Sequence, residues 1–222
     1  MKVKVIIPAS GSGERFGGKT PKQFLKIGNK EIIAHTLEKF NRIKLIDEII
    51  ISTKLEHFVK VSSVIKKYNL TKVKKIVEGG SRRQDSVYNA LLNLECKDDD
   101  LILIHDAVRP FISSKKINEI ISEAKNGDGV ILGLPVSETV KRVDGKSNVS
   151  ETIDRNNLWM IQTPQAFRYD VLKRSFEKAN EENFTGTDES AIVENAGYLV
   201  KIITGERDNV KVTVKDDLKK LR

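Results

Sequence analysis

The chain of 222 residues is 39% hydrophobic and 32% charged, with a formal net charge of +8, which suits one domain over 1–222 and excludes a membrane span, since no stretch approaches roughly 18 apolar residues. The single cysteine, Cys96, excludes an internal disulfide and fits a reducing cytoplasm. Scattered lysines, 6% aromatic residues and no base-stacking motif argue against a nucleic-acid partner, leaving small anionic ligands or solvated lysine faces to account for the charge.

The first apolar run, Val3–Pro8, leads into Ala9-Ser-Gly-Ser-Gly and a glycine-rich loop carrying Arg15, Lys19 and Lys22. Free backbone N–H groups beside cations are what a phosphate requires. Gly13 to Thr20 also matches G-x-x-x-x-G-K-[ST], the P-loop pattern. That reading conflicts with Pro21, whose ring pushes Thr20 out of the helical geometry a P-loop needs. Phe16 stands where a dinucleotide fingerprint needs its third glycine.

Further strands are expected at Glu48–Ser52, Val73–Val77, Leu101–His105, Gly129–Leu134, Leu158–Gln162 and Leu199–Ile203. Helical periods lie between them, at Glu31–Phe40, Glu56–Tyr68, Arg82–Leu94, Ser114–Asn126, Tyr169–Glu181 and Asp188–Ala196. Ser81 and Gln84 read as a capping box for the third helix, and Gly127 and Gly197 as left-handed C-caps. The alternation predicts an α/β domain with a mainly parallel sheet. In such a sheet ligands sit beyond the carboxyl ends of the strands. Those ends read Ala9-Ser-Gly, Glu78-Gly-Gly-Ser-Arg-Arg, Asp106-Ala-Val-Arg-Pro and Thr163-Pro-Gln, a rim suited to phosphate.

From Pro135 to Asn157 the pattern changes to two alternating stretches joined around Asp144-Gly145-Lys146, a hairpin signal. A lone hairpin is marginal in water. An arm at about 135–157, packed against a second subunit, is therefore expected. Trp159 is expected in the core.

The chemistry is limited by what is missing. His35, His57, His105 and Cys96 form no zinc spacing, and His105 reads as structural. No G-x-S-x-G elbow surrounds Ser12, which is read as a loop residue. A phosphate monoester would need neither protein nucleophile nor base, being largely dianionic at neutral pH. Its reaction would need cations around the reacting phosphorus.

Ordered motifs from Val5 to Val214 carry a resemblance. They are Ala9-Ser-Gly-x-Gly-x-Arg15, Pro21-Lys-Gln-Phe, Gly79-Gly-x-x-Arg83-x-x-Ser86-Val, His105-Asp-x-x-Arg109-Pro and Thr139-Val-Lys. They continue with Asp154-Arg-x-x-Leu-Trp159, Thr163-Pro-Gln, Thr187-Asp-Glu and Asn209-Val-Lys211-Val-Thr. Together they resemble the 2-C-methyl-D-erythritol 4-phosphate cytidylyltransferase family. Ribitol 5-phosphate cytidylyltransferase, which shares most of these motifs, remains the alternative, with a P-loop NTPase further off.

The resemblance implies a Rossmann-like nucleotidyltransferase fold with a protruding β-hairpin arm exchanged across a homodimer. CTP, a small polyol phosphate and Mg²⁺ would be its partners. It implies catalytic roles for Arg15, Lys22 and Lys211. Nucleotide contacts would come from Ala9, Ser10, Gly11, Gly80, Ser81, Arg83, Ser86 and Asp106. Acceptor contacts would come from Arg109, Thr139, Arg155, Thr163 and Thr187, and metal contacts from Asp106 and Asp208. Ser10 stands where the family usually has Ala, and Ser81 where an acidic residue is common.

Overall fold

The computed structural model describes residues 1–11, 20–213 and 217. Strand β1 (Val3–Pro8) matches its expected bounds. A 3₁₀ turn at Lys22–Phe24 and a small hairpin, β2 (Lys26–Ile27) with β3 (Lys30–Glu31), then lead to α1 (Ile32–Asn41). Next come β4 (Glu48–Thr53), α2 (Phe58–Lys67), β5 (Val73–Glu78), α3 (Arg83–Leu92), β6 (Leu101–Ile104) and α4 (Ser114–Glu123). Strand β7 (Gly129–Pro135) enters the arm, formed by β8 (Val140–Val143) and β9 (Val149–Ile153). The chain returns as β10 (Trp159–Arg168) and closes with α5 (Tyr169–Glu181), α6 (Glu189–Asn195) and β11 (Val200–Thr204).

Seven strands form one sheet in the order β11-β7-β10-β6-β1-β4-β5, all parallel except β10, which runs antiparallel to both neighbours. The central strands are apolar on both faces, as a sheet covered on both sides requires. Alternate residues separate into two cores. Val5, Ile7, Ile49, Ile51 and Leu103 pack with Leu37, Phe40, Val61 and Ile120 from α1, α2 and α4. Ile6, Ile50, Ile102 and Ile104 pack with Val87, Leu172, Phe176 and Ile192 from α3, α5 and α6. The result is a three-layer α/β/α sandwich. Helix α5 shows how the pattern drives it: Val171, Leu172, Ser175, Phe176 and Ala179 make one buried stripe, with Asp170 in the first turn and Lys178 in the last.

Several local expectations change. The capping box is shifted by one residue: the N-cap is Arg82, whose N–H donates to Asp85 at 3.0 Å. Because the helix starts at Arg83, Asp85 rather than Gln84 meets that N–H. Gln84 turns inward, donating to the Phe184 carbonyl and accepting from the Gly186 N–H. Gly127 is extended (φ −146°, ψ 175°) because a 3₁₀ turn, Ala124–Asn126, already ends α4. Gly197 does take the left-handed conformation, φ +91°. In the arm the loop spans 144–148, where Asp144 accepts from the N–H groups of Lys146 and Asn148. The positive φ falls on Ser147, so the two-residue Asp-Gly turn does not form. Trp159 lies at the arm's base, 36% exposed, and is not a core residue of the single chain.

Strand β10 changes the reading most. Thr163-Pro-Gln was expected beyond a strand end, yet it lies within β10 at a register shift between Gln162 and Gln165. Running opposite to its neighbours, β10 enters the sheet from the rim, so Thr163 still meets the end of β6. Gly129 is packed so closely on β10 that an added Cβ would lie 2.4 Å from the Phe167 ring, which is fully buried. Gly129→Ala is expected to lower stability by about 1–3 kcal/mol, as overpacking does; an unchanged urea midpoint would contradict this packing.

Candidate active site

The carboxyl ends of β1, β4, β5 and β6 converge on a cleft of about 480 Å³. Ala9 extends the ladder by one bond, its N–H donating to the Ser52 carbonyl at 2.7 Å, and the chain then leaves the sheet through Ser10 and Gly11. Across from it, the Gly79 N–H donates to the Thr53 carbonyl at 2.9 Å. The two loops touch so closely that a Cβ on Gly79 would lie 1.8 Å from the Ser10 Oγ, and one on Gly80 would lie 2.2 Å from the Asp85 Cβ. A side chain at Gly79 would collide with the Ser10 and Ser86 hydroxyls, and one at Gly80 with the Asp85 Cβ and backbone, so both places need glycine. Ser86 joins the loops, accepting from the Gly80 N–H at 3.1 Å with its Oγ 3.2 Å from that of Ser10. Ser81 donates to Asp85 at 2.9 Å at the same wall.

The cleft's charge is one-sided. Among the described residues Lys22, Lys54, Arg82, Arg83 and Lys211 line it, against the single carboxylate of Asp106. Asp106 is buried and gathers three cations. Its Oδ1 accepts from the Arg83 Nε at 3.2 Å, and its Oδ2 lies 2.9 Å from the Lys211 Nζ and 3.4 Å from the Arg109 Nε. Burial alone would raise the Asp106 carboxyl. Arg83, Lys211 and Arg109 outweigh it and hold the group well below the usual carboxylate range. Arg83 also donates through Nη1 to both oxygens of Glu189, at 2.7 and 2.8 Å. Glu189 has no exposed surface, and burial raises its carboxyl despite Arg83. The remaining Arg83 nitrogen, Nη2, is buried without a hydrogen-bond partner.

Behind Asp106 a neutral relay fixes the backbone. The Arg109 carbonyl can only accept, so the His105 Nε2, 3.0 Å away, carries the proton. The Nδ1 then accepts from the Thr163 hydroxyl at 3.1 Å, and Thr163 Oγ1 accepts from the Asp106 N–H at 3.1 Å. Asn209 donates to the Thr163 carbonyl at 2.8 Å, while its own carbonyl accepts from Arg109 at 2.7 Å. The Val212 N–H donates to the Val108 carbonyl at 2.9 Å. These bonds seat the segment that carries Lys211 against Asp106.

Of the residues singled out in the sequence, Ala9, Ser10, Gly11, Lys22, Gly80, Ser81, Arg83, Ser86, Asp106 and Lys211 come together in the cleft. Arg109 and Thr163 stand behind it. Thr187 is exposed beside a smaller cavity of about 140 Å³, which shares Arg82 and Arg83 with the cleft. Thr139 and Arg155 lie on the arm, exposed, with Arg155 donating to the Ser137 carbonyl. Asp208 is exposed and does not line the cleft. Arg15 lies outside the described residues, as do Ser12 and Lys19. Reading the sequence missed Gln23, Lys54, Arg82, Glu189 and Asn209. Gln23, Glu189 and Asn209 sit inside the quoted motifs, which were the available signal; Lys54 and Arg82 have no signal beyond their strand-end positions.

Thr20 and Pro21 lead into a three-residue 3₁₀ turn, so the helix a P-loop needs is missing there. Among the described residues no three His, Cys, Asp or Glu side chains are grouped to hold a metal ion. No described helix is long and apolar enough to cross a membrane. A cationic cleft with closely packed glycines, at the carboxyl edge of a mainly parallel sheet, is a site fitted to phosphate-bearing ligands. The family model for 2-C-methyl-D-erythritol 4-phosphate cytidylyltransferase (IspD) matches residues 3–221. The chain belongs to that family. It is 46% identical over 217 residues to the cytidylyltransferase of that name from Clostridioides difficile, covering 96% of this chain and 90% of the relative. The one from Dictyoglomus thermophilum is 44% identical over 219 residues, covering 98% and 94%. The crystal structure of the Francisella tularensis enzyme superposes with a TM-score of 0.85 at 34% identity, covering 99% of this chain and 98% of that one.

Burial is the main force pushing the His105 imidazole down to about 4, only partly offset by the Arg109 carbonyl and the Asp106 charge. An unfolded His takes up its proton near the ordinary value of about 6.5. Stability from neutral His105 is therefore full above that pH and lost as pH falls toward 4. Between pH 7 and pH 5 the loss is expected to be about 2 kcal/mol. Urea unfolding at both pH values checks it, and His105→Gln should remove that part of the dependence.

Proposed function

We propose that the protein joins CTP and 2-C-methyl-D-erythritol 4-phosphate, giving 4-diphosphocytidyl-2-C-methyl-D-erythritol and pyrophosphate, a step of non-mevalonate isoprenoid synthesis. The observation that carries the mechanism is the cleft itself, where the described residues set five cations against one carboxylate at the glycine-lined rim. A phosphate oxygen of the acceptor attacks the α-phosphorus of CTP. A new P–O bond forms as the α–β bridging P–O bond breaks, and its electron pair leaves with pyrophosphate. The acceptor phosphate, with a second pKa of about 6, is already mostly dianionic at neutral pH, so no side chain has to remove a proton. Neutral, buried His105 has no role as a base.

The work left to the protein is electrostatic. Lys22, Arg15 and Lys211 are assigned to the charge that builds around the α-phosphorus. The N–H groups of Ser10 and Gly11 meet the nucleotide beside Ala9, whose own N–H is held by the Ser52 carbonyl, and Arg83 stands beside the triphosphate. Gly80, Ser81 and Ser86 form the wall against cytosine. Asp106 faces the ribose. Arg109 and Thr163 serve the acceptor side through Asp106, whose position they fix, and Thr187 borders that side.

The donor set fits a divalent cation in one way. Asp106 is the carboxylate that lines the cleft among the described residues, which suits Mg²⁺ bound by a single carboxylate and by substrate phosphates. Bound there, the ion would neutralise triphosphate charge. Asp208, exposed outside the lining, is the weaker half of the expected metal pair.

The second copy of the chain is assigned to the arm. Val143 and Val149 are register partners on β8 and β9, exposed at 52% and 61%, and Met160 at the base is exposed at 54%. An isolated hairpin with such a surface needs a partner. Burial of this surface would carry Thr139 and Arg155 to the partner's acceptor site.

Pyrophosphate release tests the reaction, with CTP and either methylerythritol phosphate or ribitol phosphate. The methylerythritol compound is expected to be the substrate; orthophosphate alone would point to hydrolysis. Lys22→Ala should reduce turnover about 10²–10³-fold, the effect of losing one transition-state donor. In sedimentation, the protein should have twice the single-chain mass. Val143→Asp with Val149→Asp should reduce it to one chain; a monomeric parent protein would refute the arm's role.

A further inference from the structure

The Gln23 side chain is buried, at 2% exposure, beneath the cleft it borders. Its Nε2 donates to the Ala9 carbonyl at 2.8 Å and reaches the Gly11 carbonyl at 3.4 Å. For a loop to turn its N–H groups toward a ligand, its carbonyls must turn away from it, and each buried carbonyl then needs a donor. The Ala9 carbonyl has a second donor in the Thr53 hydroxyl, at 3.2 Å. For the Gly11 carbonyl, Gln23 is the donor found among the described residues.

Gln23 is also the neighbour of Lys22 in the 3₁₀ turn Lys22–Phe24. With 3.0 residues per turn, consecutive side chains diverge by about 120°. Gln23 anchored under the loop, and Phe24 buried in the core, leave Lys22 on the side that borders the cleft. Among the described residues the short turn's own backbone bonds run from Phe24 to Pro21 (3.0 Å) and from Leu25 to Lys22 (3.1 Å). Neither of those ties it to the nucleotide loop. The Gln23 amide does.

We propose that Gln23 is a positioning residue for the cytidylyl transfer, one that holds the Lys22 ammonium in register with the Ala9–Gly11 loop. It touches no reacting atom and acts through Lys22. The inference rests on the reading of this cleft as the CTP site. Displacing a catalytic group by about 1 Å can cost about 10²-fold in rate.

The test is a double-mutant cycle on turnover. Gln23→Met keeps the length of the side chain and removes both donors. It should lower kcat about 30- to 100-fold in the parent enzyme, yet less than about 3-fold on a Lys22→Ala background, because groups that act as a unit are not additive. Equal losses in both backgrounds would mean a merely structural role and overturn the proposal, as would parental turnover in Gln23→Met. Amide hydrogen exchange of the nucleotide-free protein reads the contact apart from activity. Faster exchange across 9–11 in Gln23→Met supports the anchor, and unchanged exchange refutes it. A parent enzyme that releases no pyrophosphate would refute the assigned reaction, while the exchange measurement would still decide whether Gln23 holds the loop.

Discussion

A carboxylate buried among three cations organises this molecule. Removing Asp106 from water would be prohibitive alone; Arg83, Lys211 and Arg109 make its charged form the stable one. Each of those cations arrives from a different part of the chain, from the start of α3, from the loop after β6 and from the segment after β11. The carboxylate therefore gathers distant elements as well as charges. Its attraction is spent on assembly, and Arg83 answers it while also donating to both oxygens of Glu189. Taking away the acid alone would leave several cations crowded together, a cost usually larger than the value of any one ion pair.

The second organising feature is contact without side chains. Gly79 and Gly80 allow one strand-end loop to lie against Ser10 and against the first turn of α3. A phosphate-binding wall made of backbone must be rigid to be useful, since a mobile N–H gives back in entropy what it gains in attraction. Here rigidity comes from hydroxyls. Ser86 and Ser10 take the place that larger polar groups could not fill, their hydroxyls meeting against the bare Gly79.

Most of the fold was legible, for identifiable reasons. β1 and α5 could be bounded from apolar runs and periods because each is covered in the way its pattern advertises. Thr163 was recognised as a rim residue for the wrong reason. A strand entering the sheet from the rim and one ending there carry the same apolar signature, and only pairing tells them apart. The capping box slipped by one residue because the helix starts at Arg83, which puts Asp85 on the Arg82 N–H and turns Gln84 inward. The β2–β3 hairpin, two residues a side, is too short to have a period. Trp159 read as core because an indole is mostly apolar, although its place at the arm's base leaves it partly uncovered. In the site, charged residues in glycine-rich motifs could be found from sequence. Glu189 and Asn209 could not be given roles, since their partners, Arg83 for the one and Thr163 and Arg109 for the other, lie far away in the chain. The position of Asp208 outside the cleft was equally invisible to pattern.

The arm leaves the sheet at Pro135 and comes back at Trp159, and those two residues are register partners across β7 and β10. Its two ends are thus one strand spacing apart, about 5 Å. The whole excursion hangs from a gap that a tight hairpin turn could bridge. Lengthening, trimming or rewriting it would leave the sandwich closed, so the arm's surface can be revised without renegotiating the core.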